Sequence, residues 1–208
     1  QQGYTNVGSY PITVSVPETA NYLAATENVN LVIENANFTG ITFNNGTFTY
    51  DGTAHSIFAS GVPAGATVTY TGNGQTNAGV YTVNALVQMP NYNDLQLSAT
   101  MTIDNATITG VTFNNGTFTY DGTAHSIFVS GAPAGATVIY TITDSQNNTQ
   151  PGNSAVNVGV YTVTAIISMA NYENLELQAI LTIDNDLGIS ESEEETKISV
   201  YPNPFTDI

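Results

Sequence analysis

The sequence predicts an all-β protein: tandem small two-layer modules arranged as beads on a string. An immunoglobulin-like sandwich is the first choice for each module and a β-grasp-like sheet the second. Three observations carry this. Apolar and polar residues alternate with period two in the longest segments, no segment shows a helical period, and a 17-residue stretch recurs letter for letter, TFNNGTFTYDGTAHSIF at 42–58 and again at 112–128.

The repeat sets the organisation. Gly40 and Tyr50 recur as Gly110 and Tyr120, a shift of 70, whereas Ile103 recurs as Ile183, a shift of 80. The ten extra residues lie between Tyr140 and Tyr161, where both flanks stay intact, so they are expected to form an exposed loop. Residues 1–34 match the back half of a module, because YTNVGSYPITVSVPETANY parallels QTNAGVYTVNALVQMPNY and AVNVGVYTVTAIISMANY. The expected order is therefore a C-terminal half-module at 1–34, full modules at 35–104 and 105–184, an acidic linker at 185–197, and a separate element beginning at 198–208. The opening in mid-module reads as a fragment of a longer chain.

Within a module the strands follow from pattern. Leu95, Leu97, Ala99, Met101 and Ile103 alternate with Gln96, Ser98, Thr100 and Thr102, as expected of a half-buried strand. Tyr81, Val83, Ala85, Val87 and Met89 do the same one segment earlier. GITF, TFTY, HSIFAS and ATVTY are short runs rich in Thr, Phe, Ile and Tyr, bounded by NNG, DG and PAG. The NNG between TF and TFTY predicts a tight hairpin. About six strands per module result.

Composition excludes several functions. Of 208 residues 17 are acidic and one is basic, Lys197, giving a formal net charge of −16. Nucleic-acid binding needs cations to neutralise phosphates, and an anionic membrane surface would repel such a chain. No apolar run reaches the roughly 18–20 residues of a membrane-spanning helix, so no membrane insertion is expected. Cys is absent, which removes disulfides, thiolate nucleophiles and thiolate metal ligands. Lys–Asn isopeptide staples are equally excluded from the repeats, since Lys197 lies outside them.

The chemistry-bearing residues are few. His55 and His125 hold equivalent positions in separate modules and read as strand residues. Ser56 or Ser60 with His55 and Asp51 could spell a triad, but no nucleophile-elbow motif accompanies them, and no catalytic residue is assigned. The repeated tyrosines, Tyr50 and Tyr120, Tyr70 and Tyr140, and Tyr22, Tyr92 and Tyr172, read as core or strand-edge residues rather than sugar platforms. Acids at the module ends, Glu34, Asp104, Asp184 and Asp186, are candidate calcium ligands, with solvated strand ends as the simpler reading.

The YDGTAH block, the NAGVYTV or NVGVYTV block and the PNY or ANY turn, recurring in that order, resemble the MBG-type repeats of bacterial extracellular adhesins. That resemblance covers residues 1–184 and implies a secreted surface protein with no shared catalytic residue. A second resemblance lies in the tail. Six acids crowd into residues 184–195, a solvated linker by composition, and ISVYPNPFTD follows. It looks like the opening of the C-terminal sorting domain of type IX secretion substrates. The resemblance implies that Tyr201, Pro202, Asn203, Pro204 and Phe205 form a sorting signal read by that machinery, on a Gram-negative cell surface. The expected function is a stalk of a surface adhesin. The alternatives are a module binding a surface glycan or protein, or an accessory region of a secreted enzyme.

Overall fold

The structure is a computed structural model and describes residues 3–185; Asp186, Lys197 and the proposed sorting signal from Tyr201 to Phe205 lie outside the described residues. It is all-β: among the described residues no helix occurs. Contacts divide the described residues into two compact units, one of residues 3–108 with 168–174, the other of 109–167 with 175–185.

The first unit holds β1 (Gly8–Val16), β2 (Ala25–Ile33), β3 (Gly46–Thr49), β4 (Thr67–Thr71), β5 (Gly79–Gln88) and β6 (Leu95–Asp104). β1 and β2 form a two-stranded antiparallel ladder. The other four make one sheet in the order β3-β6-β5-β4. Its short first strand runs parallel to the last, Gly46 opposite Met101 and Phe48 opposite Ile103. β5 pairs antiparallel with both β6 and β4. The alternation read from sequence sets which face is buried: Val83, Ala85, Val87, Ala99, Met101 and Ile103 are all buried, and their neighbours face outward.

The second unit repeats this plan and enlarges it. It contains β7 (Thr112–Phe113), β8 (Gly116–Thr119), β9 (His125–Ser126), β10 (Val129–Ser130), β11 (Thr137–Thr143), β12 (Thr149–Pro151), β13 (Ser154–Ala155), β14 (Gly159–Ser168) and β15 (Leu175–Asp184). The main sheet runs β12-β11-β14-β15-β8, again with the first strand of the sheet in sequence parallel to the last, Gly116 opposite Leu181. Short pairs, β7 with β10 and β9 with β13, form the second layer. Ile127, Ile142, Val163, Ala179 and Leu181 are buried between the layers, with Phe113, Phe118, Tyr140 and Tyr161 against them. The equivalent set in the first unit is Ile57, Val83, Ala99 and Met101 with Phe43, Phe48, Tyr70 and Tyr81. Each unit thus closes its own core between two layers, which is a β-sandwich.

Two expectations need correction. NNG is not a hairpin. β7 pairs with β10 while β8 pairs with β15, so the chain changes layers at Asn114 and Asn115. Neither asparagine takes a positive φ. Instead Asn45 Oδ1 accepts from Thr100 N and Asn115 Oδ1 from Ile180 N, both at 2.8 Å, continuing the short strand's pairing through a side chain. The ten-residue insertion, in turn, is more than a loop. It extends β11 and adds β12 as a fifth strand; β13, by contrast, has a counterpart in the first unit, where His55 bridges Gln75.

Candidate functional site

Three recurrent constellations and one unrepeated cleft hold the polar side chains of interest. The first constellation is the motif Asn-x-Gly-x-Tyr, present at Asn6–Tyr10, Asn77–Tyr81 and Asn157–Tyr161. In each copy the Tyr hydroxyl donates to the Asn carbonyl four residues back: Tyr10 to Asn6 at 2.8 Å, Tyr81 to Asn77 at 2.8 Å and Tyr161 to Asn157 at 3.0 Å. The ring folds over the intervening glycine, and a Cβ on Gly79 would lie 3.2 Å from the Tyr81 hydroxyl oxygen. This is a tyrosine corner, the device that fixes a strand entry in immunoglobulin-like sandwiches. It was visible in the sequence as a block but not as a bond.

The second constellation is the YDGTAH loop. Asp51 Oδ1 accepts from Thr53 N at 2.8 Å and Thr53 Oγ1 at 2.7 Å, and lies 3.1 Å from His55 Nε2. Asp121, Thr123 and His125 reproduce this arrangement. The Thr53 hydroxyl, then its backbone N–H, hold the Asp51 carboxyl below its ordinary value, and Thr123 does the same for Asp121. The imidazoles stack on phenylalanines, His55 on Phe48 at 4.5 Å and His125 on Phe118 at 4.7 Å. The spelled triad does not assemble. Ser56 Oγ accepts from Gly74 N, and Ser60 Oγ lies 2.7 Å from Thr42 Oγ1, so neither hydroxyl meets the imidazole. The His–Asp pair therefore braces a turn.

The third constellation involves the NY turns. Asn91 and Asn171 both have a φ of 66°. Asn91 Oδ1 accepts from Val7 N at 3.1 Å, and Asn171 Oδ1 from Ala78 N at 2.9 Å; all four residues belong to the first unit. Most of the repeated tyrosines are similarly engaged, whereas Tyr22 and Tyr120 are exposed. The Tyr70 and Tyr140 hydroxyls accept from Ala59 N and Val129 N, Tyr92 stacks on Phe38, and Tyr172 meets Tyr50 edge-on.

Of the acids considered for calcium, Glu34, Asp104 and Asp184 are exposed. Asp104 and Asp184 end the last strand of their modules, where their carbonyls accept from Tyr50 N and Tyr120 N. Among the described residues no three of His, Cys, Asp and Glu gather as a metal-ligand set.

The unrepeated feature is a cleft of about 470 Å³ in the second unit, between the tip of the β11–β12 hairpin and the segment leading into β14. Asp144 organises its rim. Its Oδ1 accepts from Gln146 N and Asn148 N, and its Oδ2 from Asn148 Nδ2, at 2.8–2.9 Å. Those bonds, the Asn148 side chain foremost, hold the carboxyl below its ordinary value.

The arrangement defines a class: a tandem β-sandwich repeat region whose recurrent polar clusters brace turns and strand entries. The particular family follows from sequence comparison. The MBG domain matches residues 39–107 and again 109–184, and the chain belongs to that family. No curated protein matches the sequence. Among solved structures, the tetra-tandem repeat from the extending region of a large adhesion protein is 19% identical, covering 86% of this chain and 57% of that one, with a TM-score of 0.32. The protocadherin fragment PcdhgB3 EC1-4 is 13% identical over 85% of this chain and 57% of its own, with a TM-score of 0.27. Human protocadherin-24 EC1-2 is 11% identical over 71% of this chain and 100% of its own, with a TM-score of 0.28.

Proposed function

We propose that this chain is the stalk region of a bacterial cell-surface adhesin, exported through the type IX route. The observation that carries the reading is repetition without a reactive site. Two modules in succession close equivalent cores, with Ile57, Val83, Ala99 and Met101 matched by Ile127, Val163, Ala179 and Leu181. Their recurrent polar groups are used up in hydrogen bonds to other residues of the chain. A repeated, self-sufficient unit adds length, and membership of the MBG family supports a surface repeat region. The address is proposed to reside in Tyr201, Pro202, Asn203, Pro204 and Phe205, which outer-membrane export machinery of a Gram-negative cell would read.

Small-angle scattering tests the stalk. Ten-residue strands at about 3.3 Å per residue are roughly 33 Å long, and with loops a module reaches about 35–40 Å. Two and a half modules in line would give a maximum dimension near 90–100 Å, against about 40 Å for one compact body of this length. The stalk reading expects the larger value, and a dimension near the smaller one overturns it. The address has its own test. Removing the residues after Gly188 from the native protein should leave the modules folded and abolish surface delivery; normal delivery would refute the sorting assignment.

A further inference from the structure

We propose that the cleft beside the β11–β12 hairpin is a binding site for a short neutral saccharide, present in the second module and absent from the first. Its volume of about 470 Å³ lies within the roughly 300–1,000 Å³ of small-molecule sites. It exists because of the insertion. The first module spans Tyr70 to Tyr81 with TGNGQTNAGV, whereas the second spans Tyr140 to Tyr161 with ten residues more.

The chemistry of the walls selects the ligand. Ser145, Gln146, Gln150 and Asn157 line the cleft, and their side chains make no hydrogen bond to other described residues. They offer amide and hydroxyl groups that both donate and accept, which suits a ligand bearing many hydroxyls. In the first module the residue equivalent to Asn157 is already engaged, since Asn77 Oδ1 accepts from Asn171 Nδ2 at 3.2 Å. Exposed Val156, Val158 and Val160 add an apolar strip against which the C–H face of a sugar ring can lie.

The rim is set before any ligand arrives. Asp144 locks the hairpin tip, Asn147 turns it at a φ of 65°, and Thr143 Oγ1 lies 2.8 Å from Thr149 Oγ1 across its base. A preformed rim lowers the ordering cost of binding a weak ligand. Charge excludes the anionic alternatives. The only ionisable side chains in the lining are Asp144 and Tyr161, and the chain carries −16 overall, so uronic and sialic acids are disfavoured against neutral sugars.

The test is an amide-resolved NMR titration of the full 208-residue chain with maltotriose, cellotriose and chitotriose, and separately with sialyllactose. At least one neutral trisaccharide should give saturable shifts confined to residues 144–158, with Kd on the order of 1 mM. Gln150→Ala and Asn157→Ala, both on exposed side chains, should each weaken binding about tenfold, the loss of one good hydrogen bond. Replacing residues 141–156 with the TGNGQT of the first module should abolish binding while retaining a folded spectrum, because that shorter connection already closes a module. The proposal is overturned if none of the three neutral sugars gives saturable shifts. It also fails if the shifts fall equally on the first module, survive the TGNGQT replacement, or are larger with sialyllactose.

Discussion

The same strand pair occurs in two settings. β1–β2 and β5–β6 share register, a ladder of nine pairs and the tyrosine corner, with Tyr10 opposite Leu31 and Tyr81 opposite Met101. They differ in what covers them. Val83, Ala99 and Met101 are 0%, 6% and 0% exposed, whereas the equivalent Ile12, Val29 and Leu31 are 36%, 49% and 40% exposed. β5–β6 is covered by Ile57, Phe43 and Phe48 from the front half of its module; residues 1–34 supply only the back half. The ladder is thus written locally in the alternating sequence, and the core is written in the pairing of two halves. Ladder pairing defines both hairpins, while burial between two layers is what makes a module stable.

The largest test of that contrast is a pair of core truncations. Met101→Ala should destabilise the first full module by about 2–5 kcal/mol through lost burial and a residual cavity. Leu31→Ala should cost less than about 1 kcal/mol, because its side chain already meets water. Urea unfolding of the two variants measures both, and equal losses would show that the hairpin is covered in solution. A smaller effect is expected at the corner. Tyr81→Phe removes one hydrogen bond from a packed strand entry and should cost about 1 kcal/mol, while Tyr10→Phe removes the same bond and should leave the cooperative transition unmoved.

The smallest effect is acid sensitivity at the YDGT loops of the two modules. Asp51 and Asp121 have carboxyls held below 3.8 in the folded chain, so their bonds stabilise it above that pH. That contribution is lost as pH falls through the lower folded value. Both carboxyls face solvent, so the slope should be shallow. Thermal melts of a double Asp51→Asn, Asp121→Asn variant should show a flatter decline below pH 3.8 than the parent. A variant with the parent's slope would assign the acid sensitivity elsewhere.

Much of the fold could be read before the structure because period two in β5, β6, β14 and β15 reports directly on which face is buried. The repeated YDGT and NxGxY blocks were legible as landmarks, but their role depended on who bonds to whom. Tyr81 returning to Asn77 and Thr53 capping Asp51 are bonds of four and two residues' reach, so the spacing held the signal. The layer change at NNG was not legible. Asn and Gly signal a reversal by local preference, and the partner that overrides it, Thr100 N, is 55 residues away. The cleft escaped for a similar reason: the insertion was recognisable as extra length, but β12 takes shape only by pairing with β11.

The parallel pairing of the short GTFT strand has a kinetic consequence. β3 and β8 are identical, and their targets end in MTID and LTID. In the register seen here, Gly116 must find Leu181, 65 residues on, yet Met101 lies only 15 residues behind it. Loop-closure entropy favours the shorter, incorrect closure by roughly 1.3 kcal/mol. During synthesis β3 and β6 both emerge before β8, so the competing edge is already occupied when β8 appears. Refolding from denaturant removes that order. A chain diluted from urea should therefore show a slow, error-correcting phase that disappears when Thr117 and Phe118 are changed so that the two GTFT copies no longer match.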